Sequence, residues 1–191
     1  MSAIVNIEDA AYEPIRFDKR SVLAMIEAGL LPDDRKVEMI DGVLVTRSPA
    51  KNDHAVALAY LIAALLPQLD QNWKGATDVA IFLAHNVMLA PDLAVLPSPL
   101  RSEDSSGPDL ALAIEIGDAT VERDLSDKAP RYARYGVREL WIVDLPERCI
   151  HVHLQPQDDG YSSVTRHGWS ETVHTNVLAG ISFNAARDLP I

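Results

Sequence analysis

Apolar and polar positions along this chain fall into blocks whose period changes several times. In FDKRSVLAMIEAGL, Val22, Leu23, Ile26 and Leu30 recur at helical spacing behind Asp18, which is placed to cap the first turn; a short helix is expected, ended by Gly29 and Pro32. VEMIDGVLVTR sets Asp41-Gly42 between two apolar segments, a strong signal for a tight hairpin. HAVALAYLIAALLPQL is apolar almost all the way round a helix, which predicts a central helix buried on several sides. DVAIFLA, NVMLAPDLAVL and LALAIEI read as three strands, with the polar, exposed loop SPLRSEDSSGP between the last two. ERDLSDKAPRYARYG keeps helical spacing up to Gly136, and Pro130 inside it must sit near a first turn or bend the axis. ELWIVDL is a further buried strand, CIHVHL and YSSVTR an antiparallel pair beyond it, and the tail carries weaker strand signals.

This succession predicts a mixed α/β (α+β) domain with helices packed on a curved sheet. A chain of 191 residues, 48% hydrophobic, fits one globular domain spanning 1–191, with residues 1–16 a loosely ordered start. Lys and Arg number 17 against 28 Asp and Glu, and the net charge of −11 argues against a broad basic surface that grips phosphates unaided. A role on nucleic acid therefore needs local positive charge or bound cations. The one cysteine, Cys149, has no disulfide partner within the chain and reads as a small buried side chain. MSAIVNIEDAAYEP has acids where a signal peptide has bases, and no apolar run reaches the roughly 18 residues that span a membrane. A cytoplasmic protein is expected.

Two strand candidates contain acids that a core disfavours. Asp92 follows Pro91 inside LAPDLAVL, and Glu115 interrupts LALAIEIG. If the strands are neighbours, two carboxylates about 4.5 Å apart repel by about 4 kcal/mol at an effective dielectric near 20. Such a pair needs protons or a cation, and Mg²⁺ or Mn²⁺ suits an all-oxygen donor set. Lys128 is the best placed cation downstream of Glu115, and helical spacing puts it on one face with Asp124 and Tyr132. The alternative reading of Asp124 and Lys128 is an exposed helix pair worth a few tenths of a kcal/mol.

The ordered series VEMIDGVLV, a helix opening with His54, PDLAV, LALAIEIGDAT and ERDLSDKAPRYARYGVRELWIVD resembles the Uma-two family of restriction-endonuclease-like proteins, a branch of the PD-(D/E)XK nuclease superfamily. The resemblance runs from about residue 17 to residue 155. It implies a restriction-endonuclease-like core, a mixed sheet flanked by helices with additional antiparallel strands, and metal ligands at Asp92 and Glu115. The superfamily lysine stands two residues after the acid, whereas here Ile116 and Gly117 follow Glu115, Gly117 occupying a place where this branch often has serine. The resemblance assigns the lysine's role to Lys128 on the next helix. It also implies that Glu38 assists the metal site, that His54 belongs to it, and that Tyr132 is a recurrent tyrosine one turn beyond the lysine. For His54, helix capping or an ordinary polar contact is the alternative.

Other candidates read as structural. His151 and His153 point to one side of a strand without a third ligand spaced to join them, and Trp141 reads as packing. Two functions are expected from the whole: a Mg²⁺- or Mn²⁺-dependent nuclease acting on DNA or another nucleic acid, or an inactive nuclease fold that serves as a binding or assembly module. In either case a homodimer is expected and no membrane partner.

Overall fold

The computed structural model describes residues 14–32, 34–46, 52–77, 79–118 and 121–189. Most of the expected loose N-terminal segment lies outside them. Asp18 caps α1 (Lys19–Glu27), its carboxylate accepting from the Ser21 N–H at 2.8 Å. Only Val22 of the expected apolar side is fully buried, and Ile26 and Leu30 face outward. The hairpin forms where Asp41-Gly42 predicts it, between β1 (Val37–Ile40) and β2 (Val43–Thr46). Its two central residues have φ of 51° and 82°, the primed-turn geometry that follows the twist of the strands.

The all-round apolarity of the next helix is misleading. In α2 (Asn52–Leu65) one stripe, Ala57, Leu61 and Leu65, is buried, while Ala55, Ala59, Tyr60 and Ala63 are exposed. Apart from Tyr60, the exposed apolar residues of this helix are alanines, which cost little to expose. It is followed by β3 (Trp73–Thr77), a strand the pattern did not reveal because WKGAT carries Lys and Gly and lies half-buried at a sheet edge. DVAIFLA supplies β4 (Ile81–Ala84).

NVMLAPDLAVL is not one strand. It breaks into β5 (Val87–Leu89) and β6 (Leu93–Pro97), which belong to different sheets. Pro91 lacks the N–H that a ladder needs, and the chain uses the interruption to pass from one sheet to the other. The four-stranded sheet has the order β2-β1-β5-β4. The six-stranded sheet has β6 and β3 at one side and is completed by β7 (Leu112–Gly117), β8 (Glu139–Asp144), β9 (Cys149–Gln157) and β10 (Gly160–Gly168), in the order β10-β9-β8-β7-β6-β3. β7 and β8 are parallel and their sheet neighbours antiparallel, so the sheet is mixed. Both are buried on both faces, as their near-continuous apolar runs require. The loop between β6 and β7 is not simply solvated: Ser105 and Gly107 are buried, and a Cβ on Gly107 would meet the Tyr135 carbonyl oxygen at 1.7 Å.

The β7–β8 crossover is a helix in three parts: α3 (Val121–Arg123), a π-helical turn over Asp124–Lys128, and α4 (Ala129–Arg134). Ala129 N–H reaches back to the Asp124 carbonyl, five residues earlier. Pro130 falls at the start of α4, directly after that wider turn, where its missing N–H and its ring are tolerated. A two-stranded sheet, β11 (Thr172–His174) with β12 (Ser182–Asn184), and the short α5 (Ala185–Asp188) follow.

The core lies on both faces of the six-stranded sheet. One face carries Ile114, Ile116, Trp141, Val143, Ile150 and Val152 against α2 and the C-terminal segment. The other carries Ala94, Ala113, Leu140 and Ile142 against α4 and residues of β4 and β5. Among the described residues no helix is long and apolar enough to cross a membrane.

Candidate active site

The break at Pro91 and the crossover helix together bring a set of charged side chains into the second of these faces. Leu93 on β6 pairs with Ile114 on β7, and the register continued by one position sets Asp92 opposite Glu115. Cross-strand partners share a face, so both carboxylates point to the side on which α4 lies. Asp92 and Glu115 are 2% and 0% exposed.

They are not left to repel each other. Asp92 Oδ1 lies 2.9 Å from Lys36 Nζ, and its Oδ2 lies 2.9 Å from His54 Nε2 and accepts the Ile116 N–H at 2.8 Å. Burial alone would raise this carboxyl, but the His54 hydrogen bond, the Lys36 charge and the Ile116 N–H outweigh it and hold Asp92 well below the usual carboxylate range. Glu115 Oε1 lies 2.7 Å from Lys128 Nζ and accepts the Tyr132 hydroxyl hydrogen bond at 2.7 Å. Burial, and then the adjoining Glu115 charge, push the Tyr132 hydroxyl far upward, so it stays a donor.

Lys128 is the hub. Besides Glu115 its ammonium lies 3.5 Å from Glu38 Oε1 and 3.8 Å from Asp124 Oδ1, and it is 3% exposed. Glu38, on β1, also accepts the Ala90 N–H at 3.4 Å, which ties the hairpin sheet to the segment leading into Pro91. The reading of Asp124 and Lys128 as an exposed helix pair is overturned, because Asp124 is 0% exposed and both side chains face the sheet. Lys128, Tyr132, Glu38, His54, Asp92 and Glu115 thus meet in one region, Lys128 and Tyr132 on Glu115, Glu38 on Lys128, and His54 on Asp92.

Two members were not foreseen as site residues. Lys36 comes one residue before β1, and only the fold carries it to Asp92; no spacing in the sequence announces it. Asp124 was visible as an i−4 partner of Lys128 but not as part of a buried cluster. The other histidines fall elsewhere: His153 packs edge-on against Tyr161, and burial lowers its pKa.

A divalent cation fits the donor set. Four buried carboxylates, Glu38, Asp92, Glu115 and Asp124, face two ammoniums, Lys36 and Lys128, which leaves two formal negative charges if His54 is neutral. All the anionic donors are oxygens, the hard ligands that Mg²⁺ and Mn²⁺ take.

No curated protein matches this chain. A crystal structure of a protein described as a "putative nuclease belonging to DUF820", from Anabaena variabilis, has the same fold at a TM-score of 0.65, with 14% sequence identity over 84% of this chain and 89% of the other. Residues 23–186, a span that includes all the charged residues of this cluster, match the family model Uma2, described as "Putative restriction endonuclease", and the chain belongs to that family.

Proposed function

We propose that this protein is a divalent-metal-dependent nuclease that hydrolyses phosphodiester bonds in DNA or another nucleic acid. One observation carries the reading: three carboxylates are buried around Lys128 where two sheets meet and a fourth, Asp92, is buried on the adjoining strand, with a formal excess of negative charge. Asp92 and Glu115 would hold Mg²⁺ or Mn²⁺, with Glu38 assisting. A bound ion would polarise the scissile phosphate and make a bound water more acidic. Tyr132 fixes Glu115 by donating to Oε1. Lys36, 24% exposed against 3% for Lys128, is the partner of Asp92 that can turn to solvent and free an oxygen. Lys128, held by three acids, would steady the attacking water or the charge that develops on the phosphate. His54 would keep Asp92 oriented through Oδ2.

A second reading, an inactive nuclease fold that serves as a binding or assembly module in a homodimer, is favoured by two facts. Lys36 and Lys128 already pair with Asp92 and Glu115, and the net charge of −11 repels phosphate. Purified protein with Mn²⁺ or Mg²⁺ is expected to nick supercoiled plasmid, and Glu115→Gln and Asp92→Asn are expected to lose at least about a hundredfold of that activity. No nicking, together with no cation binding by calorimetry and no rise in Tm with either metal, would establish the scaffold reading. Equal nicking by wild type and both variants would exclude this site.

A further inference from the structure

A second group of ligand atoms lies two strands away from Glu115 on the same sheet face. Asp144 closes β8, and Cys149 and His151 open β9; Asp144 pairs with Cys149, and Ile142 with His151. Glu115 pairs with Ile142, so the row across the sheet runs Glu115, Ile142, His151, which sets His151 roughly 10 Å from Glu115 at two strand spacings. Cys149 Sγ is 3.5 Å from His151 Nε2, and that nitrogen is 3.7 Å from Asp144 Oδ2. All three ligand atoms lie within 4.8 Å of one another.

We propose that Asp144, Cys149 and His151 form a binding site for a zinc(II) ion, separate from the carboxylate cluster. A tetrahedral ion with bonds of roughly 2.0–2.3 Å holds neighbouring S, N and O ligands about 3.3–3.6 Å apart, close to the 3.5 and 3.7 Å at which His151 already stands from Cys149 and Asp144. The thiol and imidazole select zinc over Mg²⁺, which favours oxygen alone. The carboxylate is pre-oriented: the Glu147 N–H donates to Asp144 Oδ1 at 2.9 Å, which leaves Oδ2 turned to the other two ligands. Asp144 and Cys149 are buried, and His151 is partly exposed, so the fourth position opens on its side and takes water.

Two groups oppose the ion. Burial raises the Cys149 thiol, whose proton must leave on binding, so affinity rises with pH. The Arg166 guanidinium acts on Cys149 from the neighbouring strand, but its side chain is 54% exposed and can turn out to solvent beside Glu147. The site would clip the turn between β8 and β9 at the end of the sheet, and it does not depend on whether the protein cleaves nucleic acid.

The chain has one cysteine, so a thiolate-to-metal absorption band can arise only from Cys149. Titration of the whole protein with Co²⁺ is expected to give such a band at one equivalent, and zinc is expected to abolish it by displacement. Asp92→Asn should keep the band, Cys149→Ser should lose it, and His151→Ala and Asp144→Asn should each weaken Co²⁺ binding by more than about tenfold. No band in wild type, or a band of unchanged affinity in both His151→Ala and Asp144→Asn, would overturn the proposal. His151→Ala, at a partly exposed position, keeps the test available if Cys149→Ser does not fold.

Discussion

Glu115 and Lys128 each explain why the other is tolerated in the core. An ammonium that is 3% exposed cannot be hydrated, and Glu115 at 2.7 Å, Glu38 at 3.5 Å and Asp124 at 3.8 Å surround it with opposite charge. Breaking such a cluster from the cation side strands three acids, so Lys128→Met is expected to cost about 3–5 kcal/mol of stability in metal-free protein. Glu115→Gln removes one of three anionic partners and keeps an acceptor for Tyr132, so a smaller loss of about 1–3 kcal/mol is expected. Urea unfolding in EDTA measures both, and the double variant should show a coupling of roughly 0.5–3 kcal/mol. Two single variants as stable as wild type would mean that the cluster does not hold the crossover helix in place. Metal-free stability and metal-dependent nicking therefore report different properties of the same two residues.

At the scale of elements, Gly117 is set by its neighbour rather than by the site. A Cβ there would lie 2.3 Å from Val121 Cγ2 and 3.1 Å from Val121 Cα, so the end of β7 and the start of α3 approach closely only because the side chain is absent. Gly117→Ser is expected to destabilise by about 1–3 kcal/mol through overpacking, and Val121→Ala in the same chain to recover part of that loss. A full double-mutant cycle by thermal unfolding tests this, and additive losses would contradict it. The serine that the resemblance leads one to expect here thus has a local steric reason to be missing. Elements whose signal is local were legible in the sequence: the Asp41-Gly42 hairpin, the Asp18 cap, and the long apolar runs of β7 and β8. Elements decided by tertiary placement were not. WKGAT becomes a strand because β6 offers it an edge, NVMLAPDLAVL divides because Pro91 ends one ladder before another begins, and α2 exposes alanines that hydropathy counts as core. The same division holds for the site. Asp92 and Glu115 stood out as charges in apolar runs and Lys128 as the cation on the helix that follows, while Lys36 is meaningful only once Asp92 is beside it.

For the whole molecule, the two larger sheets share material rather than merely touching. Ile81, Leu83, Val87 and Leu89, from the four-stranded sheet, lie in one cluster with Ala94, Ala113, Leu140 and Ile142 of the six-stranded sheet and with Tyr132 of α4. On the opposite face Glu139, fully buried, binds Trp141 Nε1 through Oε1 at 2.8 Å and accepts the Asn176 and Val177 N–H groups through Oε2 at 2.8 and 3.1 Å, so the C-terminal segment is tied to β8. With cores joined in this way, calorimetry of the metal-free protein is expected to show one cooperative transition with matching calorimetric and van't Hoff enthalpies. Two resolved transitions would show that the hairpin sheet unfolds independently of the six-stranded sheet.

The π-helical turn at Asp124–Lys128 gives this architecture an unusual vulnerability. A wider turn holds one residue more than an α-helix would need for the same rise, and each residue removed from a helix rotates everything on one side of the deletion by about 100° relative to the other. Asp124 and Lys128, at the two ends of this turn, and Tyr132 beyond it are all buried against the sheet, so the turn fixes how α3 is rotated relative to α4. Loss of a single codon from this stretch would leave a more regular helix with a better hydrogen-bond ladder, yet it would swing the start of the crossover away from the acids. For this protein, length in five residues of helix is as much a part of the site as the identity of its side chains.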